Sequence, residues 1–366
     1  MGLAETSGQE RVMKALNFQE ADRVPRFETF WSEFTKGWLR EKGLDAEAEP
    51  SDYYDIDMVV VAADETPWPS RAGVVERRGT SRLERNGWGS LWRRKEGAKF
   101  YREVEVALPE RVDPESLEFD DPLLDRRYEA AGRRAERHRG CRAVFCKTGG
   151  PYLRASFMRG TMNFLMDIAD DPGWVKALVE RVTDHITRVG VEQIRRYRLQ
   201  ETGIGIYDDI ATSQGPIMGI ASYEEIFYPS LQKMVRAYKE AGAAKVFHHC
   251  DGYVEGVLDL WAAAGIDAVH PLEARTGMDA VKVRERYDGR LAIIGGLDNS
   301  GILTRGSREE IRRHVLHVLQ AGRGGGLILA AHSIGPDISV ETYDYVSELC
   351  RRYGRYPLNA PERDEG

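Results

Sequence analysis

From residue 143 onward the chain alternates short apolar runs with longer amphipathic stretches, and this alternation limits the fold more than any other feature. Residues 143–148 read as a strand, broken by Gly149-Gly150-Pro151. Further strands are predicted over 204–210, 245–250, 266–271, 291–296 and 327–331. Helical stretches fall over 158–169, 172–199, 222–241, 253–264, 278–287, 308–320 and 340–353. Two earlier runs, 24–30 and 56–62, bring the strand candidates to eight. Short apolar runs suit strands buried on both faces, and their regular exchange with helices argues for a parallel sheet. Eight such units predict an α/β protein with a closed (β/α)8 TIM barrel, whose site lies at the C-terminal ends of the strands. A doubly wound open sheet is the alternative. The clusters Gly295-Gly296 and Gly324-Gly325-Gly326 match neither dinucleotide nor Walker spacing and read as turns.

Residues 72–107 differ in character. Polar and apolar residues alternate around Asn86-Gly87-Trp88-Gly89, which predicts an antiparallel β-hairpin inserted into the barrel. Residues 109–140 are charged and read as a helical cover. The expected organisation is one barrel domain over 1–366 with an insertion over 72–140.

Composition narrows the function classes. A net charge of −7 leaves no basic footprint for nucleic acid. No apolar run approaches the roughly 20 residues of a membrane span, and no secretory signal is evident. The start, Met1-Gly2-Leu3-Ala4-Glu5-Thr6, fits the short N-myristoylation pattern and reads as a chance match. Cys141, Cys146, Cys250 and Cys350 are too scattered for a disulfide framework, so a reducing cytoplasm is expected.

The predicted strand ends carry ionisable or metal-capable side chains: Glu28, Asp64, Lys147, Asp208 with Asp209, His248 with Cys250, Glu273, Asp298 and His332. On a strand, His248 and Cys250 share one face and Phe247 and His249 the other. With Glu273 and His332 from later strand ends, His248 and Cys250 make a candidate zinc set, since zinc accepts imidazole, thiolate and carboxylate together. The competing reading is a buried cysteine and two hydrogen-bonded histidines. Asp208 and Asp209 are the candidate catalytic carboxylates, read equally well as a helix cap. Lys147, Arg154, Gln214, Glu28, Trp31 and Trp88 are the candidate substrate-binding residues; a surface ion pair is the plainer reading for Arg154.

These residues carry a family resemblance. Asp22-Arg23-Val24-Pro25, Gly149-Gly150-Pro151, Asp208-Asp209, the turn from His248 to Gly252, Gly295-Gly296-Leu297-Asp298 and the strand before His332 together resemble the uroporphyrinogen decarboxylase superfamily. The resemblance covers most of the chain, and is strongest over 143–350. It implies the (β/α)8 barrel and offers two activities. The decarboxylase branch carries an Arg-Gln-Ala-Gly-Arg segment near its N-terminus, where this chain has Arg26-Phe27-Glu28-Thr29-Phe30-Trp31. A polycarboxylate substrate would there meet Glu28 and Glu33. The methyltransferase branch resembles a zinc site of His-x-Cys followed by Gly, plus a later Cys. Here His332 stands for the later Cys, and Asp251 separates Cys250 from Gly252. The expectation is a zinc-dependent methyltransferase working with a corrinoid on a partner protein and a small-molecule substrate, as a monomer or homodimer. The alternatives are a metal-independent decarboxylase and a barrel that binds a small molecule without turnover.

Overall fold

The computed structural model describes residues 6–95 and 101–358. The myristoylation pattern at Met1 to Thr6, except Thr6 itself, and part of the expected hairpin, 96–100, fall outside them.

Seven parallel strands form the central sheet. In spatial and chain order they are β1 (Met58–Val61), β2 (Ala143–Gly149), β3 (Gly203–Tyr207), β4 (Lys245–His249), β5 (Ala268–His270), β6 (Ala292–Leu297) and β7 (Leu327–Ala331). The expected eighth strand, 24–30, is reduced to isolated parallel bridges. Arg26 pairs with Leu329 of β7 and Phe27 with Met58 of β1, so this segment joins the two edges of the curled sheet. Pro25 has no N–H to give, and the Glu28 carboxylate, not a carbonyl, accepts the Ala331 N–H. Ladder pairing is interrupted at both points. The architecture is the α/β barrel expected from the alternation.

Side chains sort by strand face. Phe27, Met58, Phe145, Phe247, Ala268, Ile294 and Ile328 fill the inside of the barrel. The opposite faces pack against the surrounding helices in a second, larger core that includes Val144, Ile204, Val246, Trp261 and Leu329. Helices Arg308–Gln320 and Val340–Tyr353 fall where the periodicity put them. The first is fixed by a capping box in which Ser307 and Glu310 satisfy each other's backbone N–H.

Further expectations change, among them the single helix over 222–241, which is two, Ile220–Ile226 and Tyr228–Glu240. The inserted hairpin is a four-stranded antiparallel sheet, Gly73–Arg78, Ser81–Arg85, Leu91–Lys95 and Arg102–Glu105. The cover over 109–140 is helical only in Glu129–His138, apart from two 3-10 turns; Pro109, Pro114 and Pro122 withhold backbone donors before it. The helix expected over 158–169 is two, Pro151–Arg159 and Thr161–Asp170, parted at Gly160 with φ +79°. Among the described residues, no helix is long and apolar enough to cross a membrane.

Candidate active site

The barrel opens at the C-terminal ends of its strands into a cavity of about 540 Å3. Its lining includes Glu28, Trp31, Lys147, Tyr207, His249, His270 and His332. Strand phase explains the choice. Phe247 points inward, so His249 does too, two residues on, and Tyr207 of β3 and His270 of β5 stand beside it.

At one side of the cavity three ligand-bearing side chains converge. One ligand atom each from His249, Asp251 and His332 lies within 4.8 Å of the others. Asp251 Oδ1 is 3.8 Å from His249 Nε2 and 3.6 Å from His332 Nε2. It is buried with no hydrogen-bond partner. A carboxylate oxygen left bare between two imidazoles is costly unless a cation or proton fills the gap. Burial pushes the Asp251 carboxyl up to about 6 and drives His249 well below the ordinary histidine value. A neutral imidazole is the form a metal requires.

His249 is held on three sides. Its Nδ1 lies 2.6 Å from His270 Nδ1. With a cation at Nε2, Nδ1 would carry the hydrogen and donate it to His270. Such a bond to the far nitrogen fixes the tautomer and ring plane of a metal-binding histidine. Tyr207 stacks on the same ring at 4.3 Å between centroids. Asp209 accepts the Asp251 N–H at 3.1 Å, and Glu273 accepts that of Gly252 at 3.0 Å.

The structure does not bring His248, Cys250, Glu273 and His332 together. His248 lies on the outer face of β4, fully buried and stacked on Trp261 at 3.9 Å, with neither ring nitrogen hydrogen-bonded. Burial alone takes it down to about 3. Cys250 is buried with its Sγ 3.3 Å from the Ile210 N–H, and burial pushes its thiol up. Glu273 braces the turn through Gly252. Only His332 of the four joins the cluster.

The other expected site residues divide in the same way. Asp208 is buried and caps Pro151–Arg159, accepting from the N–H groups of Tyr152 at 3.2 Å and Leu153 at 2.6 Å. Burial raises its carboxyl to about 7. Asp209 stands beside the cluster, 3.7 Å from His249 Nε2. Gln214 is exposed in a small turn, outside the cavity lining. Arg154 pairs with Glu65 at 2.5 Å and lies over Trp88 and Phe157, and it too is outside the lining, as is Trp88. Glu28, Trp31 and Lys147 do face the cavity. Glu28 is 7% exposed, and burial lifts its carboxyl to about 8. Trp31 donates its Nε1–H to Ser333 Oγ at 3.0 Å.

Sequence reasoning missed His249, Asp251, His270 and Tyr207. The signal for the first two was present. Gly252 has φ +93°, and a Cβ there would meet the Thr212 carbonyl oxygen at 2.5 Å. That glycine is therefore the fixed point of the turn. Counting back from it, His249-Cys250-Asp251-Gly252 gives His-x-ligand-Gly with Asp251 in the thiolate's place.

A parallel barrel with a polar cavity at its strand C-termini defines the class, an α/β-barrel protein of enzyme architecture. Within that class the chain belongs to the family described as Uroporphyrinogen decarboxylase (URO-D), whose profile matches residues 94–353. Methylcobamide:CoM methyltransferase MtbA of Methanosarcina mazei is 30% identical over 129 residues, 33% of this chain and 34% of that protein. The chain thus matches about a third of the length of this curated relative. A solved structure described as a methyltransferase from Methanosarcina mazei superposes with a TM-score of 0.70 at 15% identity, covering 95% of this chain and 99% of the other. At that identity the likeness shows the fold alone.

Proposed function

We propose that this protein is a metal-dependent methyltransferase that moves a methyl group between a small molecule and a corrinoid carried on a partner protein, with zinc held by His249, Asp251 and His332. The convergence of those three side chains on one side of the cavity carries the reading. The partial match to a methyltransferase supports the reaction class. Two imidazoles and a carboxylate suit zinc and leave a position open to a small molecule.

Bound there, the metal would supply Lewis acidity to the heteroatom that gives or takes the methyl group. The chain's own groups do the rest. His270 keeps the Nδ1 hydrogen of His249 in place, so that Nε2 faces the cluster. Asp209 and Glu273 hold the Asp251-Gly252 backbone. Glu28, protonated near neutrality, holds a proton at its carboxyl on the cavity wall. Trp31 and Tyr207 supply aromatic walls that exclude water. The buried, capping position of Asp208 argues against a decarboxylation that relies on it.

Anomalous scattering at the zinc edge, with metal analysis of purified protein, tests the proposal. One zinc per chain between His249, Asp251 and His332 is expected, with methyl transfer from methylcobalamin lost in Asp251→Ala. Protein free of zinc that still turns over, or zinc seated at His248 and Cys250, would refute it.

A further inference from the structure

Lys147 is the other feature of this cavity. It stands on the inward face of β2, and among the described residues no carboxylate lies within ion-pair distance of its ammonium. Glu65 and Asp209 act on it only at longer range: Glu65 is engaged by Arg154 at 2.5 Å and accepts the Gly149 N–H at 2.7 Å, and Asp209 accepts the Asp251 N–H at 3.1 Å. Lys147 Nζ instead sits 4.3 Å from the centre of the Tyr207 ring. His249 stacks in parallel on that ring at 4.3 Å. The three residues come from adjacent strands, β2, β3 and β4, so Tyr207 lies between the lysine and the histidine. One cation–ring contact and one ring stack therefore separate the ammonium from the His249 ring, a path that one small molecule can span.

A half-buried ammonium without a counter-ion is unfavourable in a protein wall. Burial already holds Lys147 below its ordinary value. The face of a tyrosine recovers a small part of the lost hydration, and an anionic oxygen would recover far more. The cavity offers no such oxygen of its own at that spot, whereas it is open to a ligand.

We infer that Lys147 forms an anion subsite, and that the substrate is a small organic acid whose carboxylate meets Lys147 while its body lies across Tyr207 towards His249, Asp251 and His332. This rests on the same cavity as the proposed methyl transfer, but not on the metal. The lysine selects for charge at one end of the molecule, and the cluster acts on the other end.

Benzoate and its neutral isostere benzamide are the probes, titrated calorimetrically into the purified full-length protein. Wild type is expected to bind benzoate at least about tenfold more tightly than benzamide, the difference of a charge-assisted contact over a neutral one. Lys147→Met removes the preference, and Lys147→Arg keeps a part of it, which also shows that the cavity remains folded. His332→Ala, which breaks the cluster and leaves the lysine, retains the preference. Equal binding of the two probes by wild type, or a preference that survives in Lys147→Met or disappears in His332→Ala, would overturn the assignment. Because the readout is binding, absence of zinc from the wild-type protein would refute the proposed metal site without touching this result.

Discussion

At the scale of single residues, the two adjacent histidines of β4 have opposite fates. His249 faces polar neighbours in the cavity, and His248 is wedged against Trp261 with no partner for either nitrogen. A buried polar ring without hydrogen bonds costs stability, so an apolar ring of similar size should be tolerated. His248→Phe is expected to keep the proposed zinc site and to unfold no more easily than wild type, whereas His249→Ala removes that site; metal analysis and thermal melting check both. Gly252→Ala should lose about 1–3 kcal/mol by forcing a Cβ into positive-φ backbone against Thr212, read from the denaturant midpoint. The sequence displayed every member of the cluster, yet strand alternation alone fixes only which residues share a face. Which of the two faces looks inward depends on Phe247 finding Phe145 and Phe27 inside the barrel, a long-range fact. The glycine was the local clue, since positive φ makes it a reliable point from which to count.

At the scale of elements, the helices with strong boundary signals were legible. Ser307 and Glu310 mark the start of Arg308–Gln320, and Ser339 caps Val340–Tyr353 by accepting the Thr342 N–H. Segments whose form depends on remote partners were not. Residues 24–30 have strand composition, but their pairing is limited by a proline and by a carboxylate that replaces a carbonyl. The inserted sheet is fastened to the barrel through Trp88, which packs edge-on against Phe157 with Arg154 alongside. Trp88→Ala should cost about 3–5 kcal/mol as a buried aromatic truncation. Faster hydrogen exchange over 73–95 and 102–105, with unchanged occupancy of the proposed zinc site, is the expected signature. Loss of zinc in this variant would show instead that the sheet supports the cluster.

At the scale of the whole molecule, buried neutral histidines contribute to acid sensitivity. His185 lies against Phe119 in the outer core, and burial lowers it to about 4 from an ordinary 6.5. Between those values the unfolded chain takes up a proton that the folded chain does not, so folding stability falls as pH drops from about 6.5 towards 4. His185→Phe removes that contribution. Its stability relative to wild type should therefore be better at pH 5 than at pH 7.5, by denaturation at the two pH values. A difference that stays constant between them would exclude His185 as a source of acid sensitivity.

The segment 24–30 gives the barrel a clasp. A hoop built of continuous ladders has no preferred place to open, but this one is fastened between β7 and β1 by a few separate bonds, among them Phe27 N–H to the Leu329 carbonyl at 3.1 Å and Leu329 N–H to the Pro25 carbonyl at 2.9 Å. The clasp carries Glu28 and leads directly into Trp31, two walls of the cavity. Loosening it would widen the mouth and free His332, which follows the Ala331 held by Glu28, while His249 and Asp251 are carried by β4 and the turn after it. Native-state exchange should accordingly release the amides of Phe27 and Leu329 before those shared by β2 and β3, so that the cup yields first at its rim fastening, where His332 stands.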